Sequence, residues 1–446
     1  MFLFVQPIGS DVFYYYERAV RTVDLEQAPY RDFKVEYPPL AMWVLSLPAH
    51  LKGGKITPDL IKAKKATKYY PGYAVVFRFL MLVCDTLAFL LFIRTLKLVA
   101  PTRVALGATG YLVGTILLGN VIFDRLDAVL VLGLSAWAYC WVRSMSIDKQ
   151  AGSISNASSS LFVWLFASYL ALGCSIAYKL IPVIVVPFLL LCEIRIREQL
   201  WSRLATAIVA LVIPVVFSLL TLHELSDAWQ SLSFLEYHRA RGIEIESTYA
   251  TLLFILNQCG VPMTATHGYG GWNVESTLSM PMAKASIWLL LAGIASLGLW
   301  SFLQGDRYSR KHAFLVACCV IFLSVALSKV LSVQYLLWVL PLALIVGAMC
   351  LEDRPWHTHF WMISSMLLLS TIVFPYMFFD SFFVQGRQIS NPYPLVELHW
   401  IPCTLLVVRN SLYIWLTVKL IRSSISLASA NGVQTTAIAA EAYEAV

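Results

Sequence analysis

Apolar stretches, most of them about 17–24 residues long, recur along this chain, and a helix of that length crosses roughly 30 Å of hydrocarbon. They fall at about 73–96, 104–122, 126–142, 161–178, 180–192, 203–222, 285–303, 312–328, 333–350, 360–379 and 404–421. The stretch at 180–192 is short, and Pro182 and Pro187 make it irregular. Only 13% of the residues are charged and 59% are hydrophobic, whereas a soluble chain carries about a quarter charged residues. The expected fold class is an all-α polytopic membrane protein.

The net charge of +7 does not point to nucleic acid, and no nucleic-acid partner is expected. Lys and Arg lie mainly between apolar stretches, where they act as topology signals. Arg94, Lys97, Arg103, Arg143, Lys149, Arg195, Arg197, Arg203, Arg307, Arg310, Lys311, Arg354, Lys419 and Arg422 share one side, which the positive-inside rule makes cytoplasmic. The other side then holds 10–72 as a first outer loop, 223–284 as a large outer loop, and 380–400. The basic run "LKGGKITPDLIKAKKATK" at 51–68 also falls outside by parity. Segment 38–51, too short to span, is expected as an amphipathic helix in the outer interface, with the lysines near lipid headgroups.

Nine Cys lie mostly inside apolar stretches, with no CxxC and no Cys/His spacing. They are expected as small core hydrophobes, not as disulfides or metal ligands. "MFLFVQPIG" is too short for a signal peptide or a span, and is expected to be the tail of a truncated first transmembrane helix. Residues 1–421 form one membrane domain, and 422–446 are expected as a disordered cytoplasmic tail. "NAS" at 156–158 matches a glycosylation acceptor but falls in a cytoplasmic loop.

Polar residues gather in "GSDVFYYYERAVRTVDLEQAPYRDFKVEYPPLAMWVLSLP" at 9–48. That stretch resembles the first outer loop of the GT-C superfamily of glycosyltransferases that use polyprenyl-phosphate sugars. The closest resemblance is to glycosyltransferase family 87, and it is similar too to the catalytic subunit of the first mannosyltransferase of GPI-anchor synthesis. "FRFLMLVCDTLAFLLF" (77–92), "NVIFDRLDAVLVL" (120–132), "AYKLIPVIVVP" (177–187), "EYHRARGIEIES" (236–247) and "VQYLLWVLPL" (333–342) continue the likeness in order. The GPI enzymes carry Asp-x-Asp, whereas Asp11 stands alone here. The resemblance implies a GT-C-type bundle of about 11–12 transmembrane helices with outer-face amphipathic helices and loops. It implies hexose transfer, mannose above all, from a polyprenyl-phosphate-sugar donor to a lipid or glycan acceptor at the outer face of the cytoplasmic membrane.

One carboxylate suffices for such a reaction. A glycosidase needs a second to protonate a departing alkoxide, whereas a lipid phosphate already leaves as a stable anion. Asp11 is the expected general base, in an inverting displacement, and its bland alternative is a helix cap. Cations must meet the phosphate. Arg31, Lys179, Arg239 and Arg241 are the expected binding cations, with Asp32, Glu36, Tyr37, Asp124, His238, Glu246 and Gln334 binding donor or acceptor. The bland alternatives are a snorkelling Lys179, a self-paired 236–247 helix face, Arg31 and Lys34 as surface charges, and an Arg125 that simply neutralises Asp124 and Asp127. Arg78 and Asp85, inside one span, are expected in a structural ion-pair network. Trp272, Trp338 and Trp400 are expected as interfacial belt residues. No cofactor is required, and a divalent metal is compatible with the pattern but not implied by it. The alternatives are a secondary transporter and a lipid-glycan flippase. The first would show paired Gly/Pro-broken helices in inverted repeats, and the second would not need Asp11.

Overall fold

A computed structural model of the chain describes residues 10–150, 156–220, 222, 227–268, 271–377 and 398–444. The first helix, α1 (Ser10–Val23), buries Val12, Tyr15, Tyr16, Ala19 and Val20 and exposes Glu17 and Arg21. Those buried positions recur every three or four residues, so one stripe faces the bundle. The chain then turns through Glu26 and Tyr30, both at positive φ. The Asp32 carboxylate closes this turn by accepting from the Ala28 amide at 2.7 Å. Helix α2 (Pro39–His50) starts at its prolines, as proline's fixed φ favours in a first helical turn.

The amphipathic character expected of 38–51 is corrected by α2 itself. Its buried face holds Ala41, Met42, Leu45, Pro48 and Ala49, and its exposed face carries Trp43 and Leu47. Both faces are apolar, because the lysines of this region lie beyond the helix end. They occupy the loop 51–69, which contains the short α3 (Pro58–Lys62).

The bundle follows as α4 (Tyr70–Val99), α5 (Val104–Leu118), α6 (Asn120–Phe123), α7 (Asp127–Gln150), α8 (Asn156–Tyr178), α9 (Val186–Arg195) and α10 (Leu200–Leu220). A 3₁₀ turn, Ile181–Val185, holds Pro182 and precedes α9, whose first turn holds Pro187. Next comes a small module: α11 (Asp227–Gln230), α12 (Ser233–Ala240), β1 (Ile243–Glu244), α13 (Thr248–Gln258), β2 (Thr264–Gly268) and β3 (Gly271–Glu275). Its antiparallel sheet has the order β1-β3-β2. The chain closes with α14 (Ser279–Leu303), α15 (Arg310–Ala326), α16 (Tyr335–Cys350), α17 (Asp353–Thr371) and α18 (Trp400–Glu444). The last helix includes most of the segment expected as a disordered tail. The expected loop 380–400 lies almost wholly outside the described residues.

Among the described residues, 7 helices are long and apolar enough to cross a membrane, so this is an integral multi-pass protein. Each of the eleven apolar stretches falls on a helix, but those at 104–122, 180–192, 312–328 and 333–350 fold as shorter ones. Burial explains two of these. Nearly every side chain of α15 and α16 is inside, so their apolar character serves helix neighbours and not lipid alone. A second, smaller core joins Ile243, Ile245, Tyr249 and Phe254 of the module to Val373, Cys403 and Leu406. The module is thereby fixed to the end of α17 and the start of α18.

Small residues permit close helix approach where hydrocarbon offers no hydrophobic drive. At Gly173 of α8 an added Cβ would stand 2.8 Å from the Leu211 carbonyl oxygen of α10, which is backbone and cannot rotate away. At Gly298 of α14 the nearest atom would be 4.0 Å off. Gly173→Val should therefore lower Tm in detergent by several degrees, since overpacking costs about 1–3 kcal/mol. Gly298→Ala should leave Tm unchanged or raise it slightly, because alanine favours helix. Thermal unfolding of the two variants beside the parent checks both.

Candidate active site at the 123–127 turn

The turn Phe123-Asp124-Arg125-Leu126-Asp127 joins α6 to α7, and its three charged side chains each reach a different part of the fold. Asp124 takes a two-pronged hydrogen bond from Arg78 of α4, with 2.6 Å to Nε and 2.7 Å to Nη2. Arg125 reaches Asp11 of α1, Nη1 to Oδ1 at 2.7 Å. Asp127 Oδ1 accepts from Lys179 Nζ at 2.8 Å and from Trp338 Nε1 of α16 at 2.6 Å. The Tyr178 hydroxyl donates to the Leu126 carbonyl at 2.8 Å. Charged groups near apolar helices must be neutralised locally, and this turn does so three times.

These pairs differ in access, and access decides which can meet a substrate. The Arg78 and Asp124 side chains are 5% and 6% exposed, so that pair lies beneath the site. The Asp11 and Arg125 side chains are 28% and 18% exposed. Lys179 is 24% exposed over a nearly closed Asp127. Its ammonium lies 4.3 Å from the Trp338 ring centre and 5.2 Å from that of Tyr335, and the two rings stack at 4.3 Å. Lys179 is thus held against aromatic faces and a carboxylate, not extended toward headgroups.

Two tyrosines complete the Asp11 surroundings. The Tyr15 and Tyr37 hydroxyls approach to 3.5 Å, and Tyr30 OH donates to the Tyr37 carbonyl at 2.6 Å. Burial first, then the Asp11 charge, raises the Tyr15 pKa, and burial likewise raises that of Tyr37. Both therefore remain neutral hydrogen-bonding groups beside Asp11. Burial draws the Arg125 pKa down, but Asp11, Tyr15, Tyr37 and Asp127 more than offset this and hold it a cation.

The sequence-expected residues divide sharply. Asp11, Tyr37 and Lys179 gather here, while Glu36 accepts from Tyr14 OH at 2.7 Å nearby. Arg31 and Asp32 pair with each other at 3.2 Å on an exposed loop. Arg241 bonds Glu244 at 3.0 Å, and Lys329 Nζ binds the carbonyls of Arg239 and Arg241, so this loop is tied through its backbone. The Arg239 side chain is exposed, and Gln334 accepts from Ser332 Oγ at 2.6 Å. His238 lies in α12, with its side chain outside the described residues. Arg78 and Asp85 turn out not to be each other's partners: Asp85 accepts from Tyr111 OH at 2.8 Å. Trp338 is no belt residue, since it is buried on Asp127.

Glu246 has the most consequential partner, and one that sequence reasoning missed. Arg409 of α18 contacts its Oε1 at 3.2 Å and its carbonyl, while Asn410 donates to the Glu246 and Ser247 carbonyls at 3.1 Å each. Burial and the neighbouring Glu244 push the Glu246 pKa up to about 7 against the opposing pull of Arg409 and, more weakly, Arg125. The signal was present in "VVRNSL", because an ionisable residue inside a span calls for a partner. Among the described residues, no three His, Cys, Asp or Glu side chains gather to hold a metal. A cavity of about 150 Å³, lined by Leu98, Val99, Val142, Met145, Ser146, Lys311 and Met349, lies at the opposite ends of α4 and α7.

The buried Glu246–Arg409 contact generates a pH-dependent expectation. A carboxylate whose folded pKa is raised favours the fold while protonated and loses stability as pH rises from its unfolded value toward its folded one. Arg409→Gln removes the cation opposing that rise, so its destabilisation should grow with pH. A loss of about 3–5 kcal/mol is expected above pH 8, and clearly less at pH 5.5. Glu246→Gln in the same background should flatten the dependence. Tm measured across pH for the single and double variants checks this.

A family model described as dolichyl-phosphate-mannose-protein mannosyltransferase matches residues 24–230, a little under half of the chain. The match supports a GT-C mannosyltransferase-type family. It includes the 123–127 turn and Lys179, and it excludes Asp11, Glu246 and Arg409. No curated protein and no solved structure gives a match.

Proposed function

We propose that this chain, a glycosyltransferase of the GT-C mannosyltransferase type, moves mannose from a polyprenyl-phosphate donor to a lipid-linked or glycan acceptor, with inversion at the anomeric carbon. The reading rests above all on one observation: a partly exposed carboxylate, Asp11, is held 2.7 Å from a partly exposed guanidinium, Arg125. The Lys179–Asp127 pair on the adjoining side of the turn gives a second cation.

The donor phosphate is an anion and competes with Asp11 for Arg125 and with Asp127 for Lys179. Arginine suits this exchange, because its planar fork binds phosphate through two hydrogen bonds. Once Arg125 turns to phosphate, the Asp11 carboxylate is free to accept a proton. The acceptor oxygen then attacks the anomeric carbon, and the bond from that carbon to the phosphate oxygen breaks. The bonding electron pair leaves with the polyprenyl phosphate, whose growing charge Arg125 and Lys179 stabilise. The acceptor proton goes to Asp11, and attack opposite the leaving group inverts the centre. Tyr37 and Glu36 border the donor sugar from the α1 side. Arg31, Asp32, Arg239, Arg241 and Gln334 take a lesser part, as rim contacts to acceptor. Asp124 is left out of substrate contact, being spent on Arg78.

The active face belongs on the outside of the cytoplasmic membrane, as the basic short loops at the other end support. The matched family's description names protein as acceptor, so the test panel includes a Ser/Thr peptide beside lipid-linked and free glycans. Purified chain in liposomes with labelled polyprenyl-phosphate-mannose should form a new glycosidic bond of inverted configuration. Asp11→Asn should keep its Tm and lose about a hundredfold or more in rate, the usual worth of a general base. Full transfer by a folded Asp11→Asn chain would sink the assignment, and label crossing the bilayer without a new bond would favour a flippase.

A further inference from the structure

The segment 51–69 carries six lysines, and the protein fixes it in place while turning five of them outward. Lys52 is the inward one. Its ammonium is buried on Asp24 Oδ1 at 2.9 Å and on the Ala49 carbonyl at 2.8 Å, and the Ile56 amide donates to Asp24 Oδ2 at 2.9 Å. Asp24 directly follows α1, so this anchor ties the segment to the helix that bears Asp11. A second tie comes from Tyr16 of α1, whose hydroxyl donates to the Ala66 carbonyl at 2.7 Å. Gly72, at the start of α4, presses so close to the Lys52 carbonyl that no side chain fits between them. A merely solvated basic linker needs none of these contacts.

Lys55, Lys62, Lys64, Lys65 and Lys68 are all exposed. Asp59 is the sole acidic residue of 51–69, and Glu26 offsets Lys55 at 3.2 Å. Large apolar side chains stand exposed among the lysines, with Leu51 at 70% and Ile61 at 42%. The apolar span of α4 begins at Tyr70, two residues after Lys68, and the exposed Trp43 and Leu47 of α2 adjoin on the other side. Exposed lysines are therefore interleaved with exposed apolar side chains, Leu51 and Ile61, immediately before the α4 span. Soluble polyanions would meet the charge but leave Leu51 and Ile61 uncovered, whereas a lipid surface meets both.

We propose that residues 51–69 form a rigid docking surface for anionic phospholipid headgroups in the leaflet next to Asp11. This does not depend on the reaction proposed above. Each lysine at such a surface is worth about fivefold in affinity, and the attraction falls with salt.

The test places the full chain in nanodiscs of phosphatidylcholine alone or with about 30% phosphatidylglycerol, and follows amide hydrogen exchange over 51–69. Phosphatidylglycerol should slow exchange there, and about 0.5 M salt should reverse the effect on the unmodified chain. The variant carrying K55Q, K62Q, K64Q, K65Q and K68Q should lose the effect and retain at least about tenfold less phosphatidylglycerol by native mass spectrometry. Identical exchange in the two lipid mixtures would overturn the proposal, whether or not the variant folds. So would protection by a soluble acidic polysaccharide with none from phosphatidylglycerol.

Discussion

Charges placed among apolar helices have to be cancelled where they stand, and the turn at 123–127 is where this chain meets that constraint most densely. Asp124 answers Arg78, Arg125 answers Asp11, and Asp127 answers Lys179 and Trp338. Helices α4, α1 and α16 and the residue that follows α8 are thereby tied to one five-residue turn. Burying such pairs gives little net stability against well-packed apolar side chains, while removing one partner is costly. Such pairs can act on registry, and the Asp11–Arg125 contact constrains how α1 sits over the bundle.

That registry has a chemical consequence. The innermost pair is closed, whereas Asp11, Arg125 and Lys179 of the other two pairs are partly exposed. In the proposed reaction, the lipid phosphate meets two cations already in position, and displaces the carboxylate that holds each. Little reorganisation is then left for the moment of reaction, which is the condition under which fixed charges are most effective. The module between α10 and α14 adds its own anchored carboxylate, Glu246, on the same side, through Arg409 of the last helix.

The helical membrane architecture was legible because hydrocarbon thickness writes itself into the length of apolar runs. The four shorter helices were less so, since α15 and α16 are apolar for a different reason, burial among other helices. Asp11 stood out in the sequence as a lone acid at the start of the stretch that resembles the first outer loop of the GT-C superfamily. Its partner could not be named, because Arg125 lies more than a hundred residues away and its neighbours Asp124 and Asp127 were equally plausible mates. The 38–51 helix was misread as two-faced because the lysines that follow it in sequence, from Lys52 on, lie past its end at His50. Arg409 was missed although its position inside an apolar run was itself the clue.

The proposed reaction requires the donor phosphate to bind at the 123–127 turn. A structure of the chain with a non-transferable polyprenyl-phosphonate mannose analogue locates it directly. The phosphonate should lie within hydrogen-bonding distance of Arg125 and Lys179, with the anomeric carbon facing Asp11 across a gap that admits one hydroxyl. A phosphonate seated at the opposite end of the bundle, in the cavity beside Lys311, with the Asp11–Arg125 contact unchanged, would contradict it.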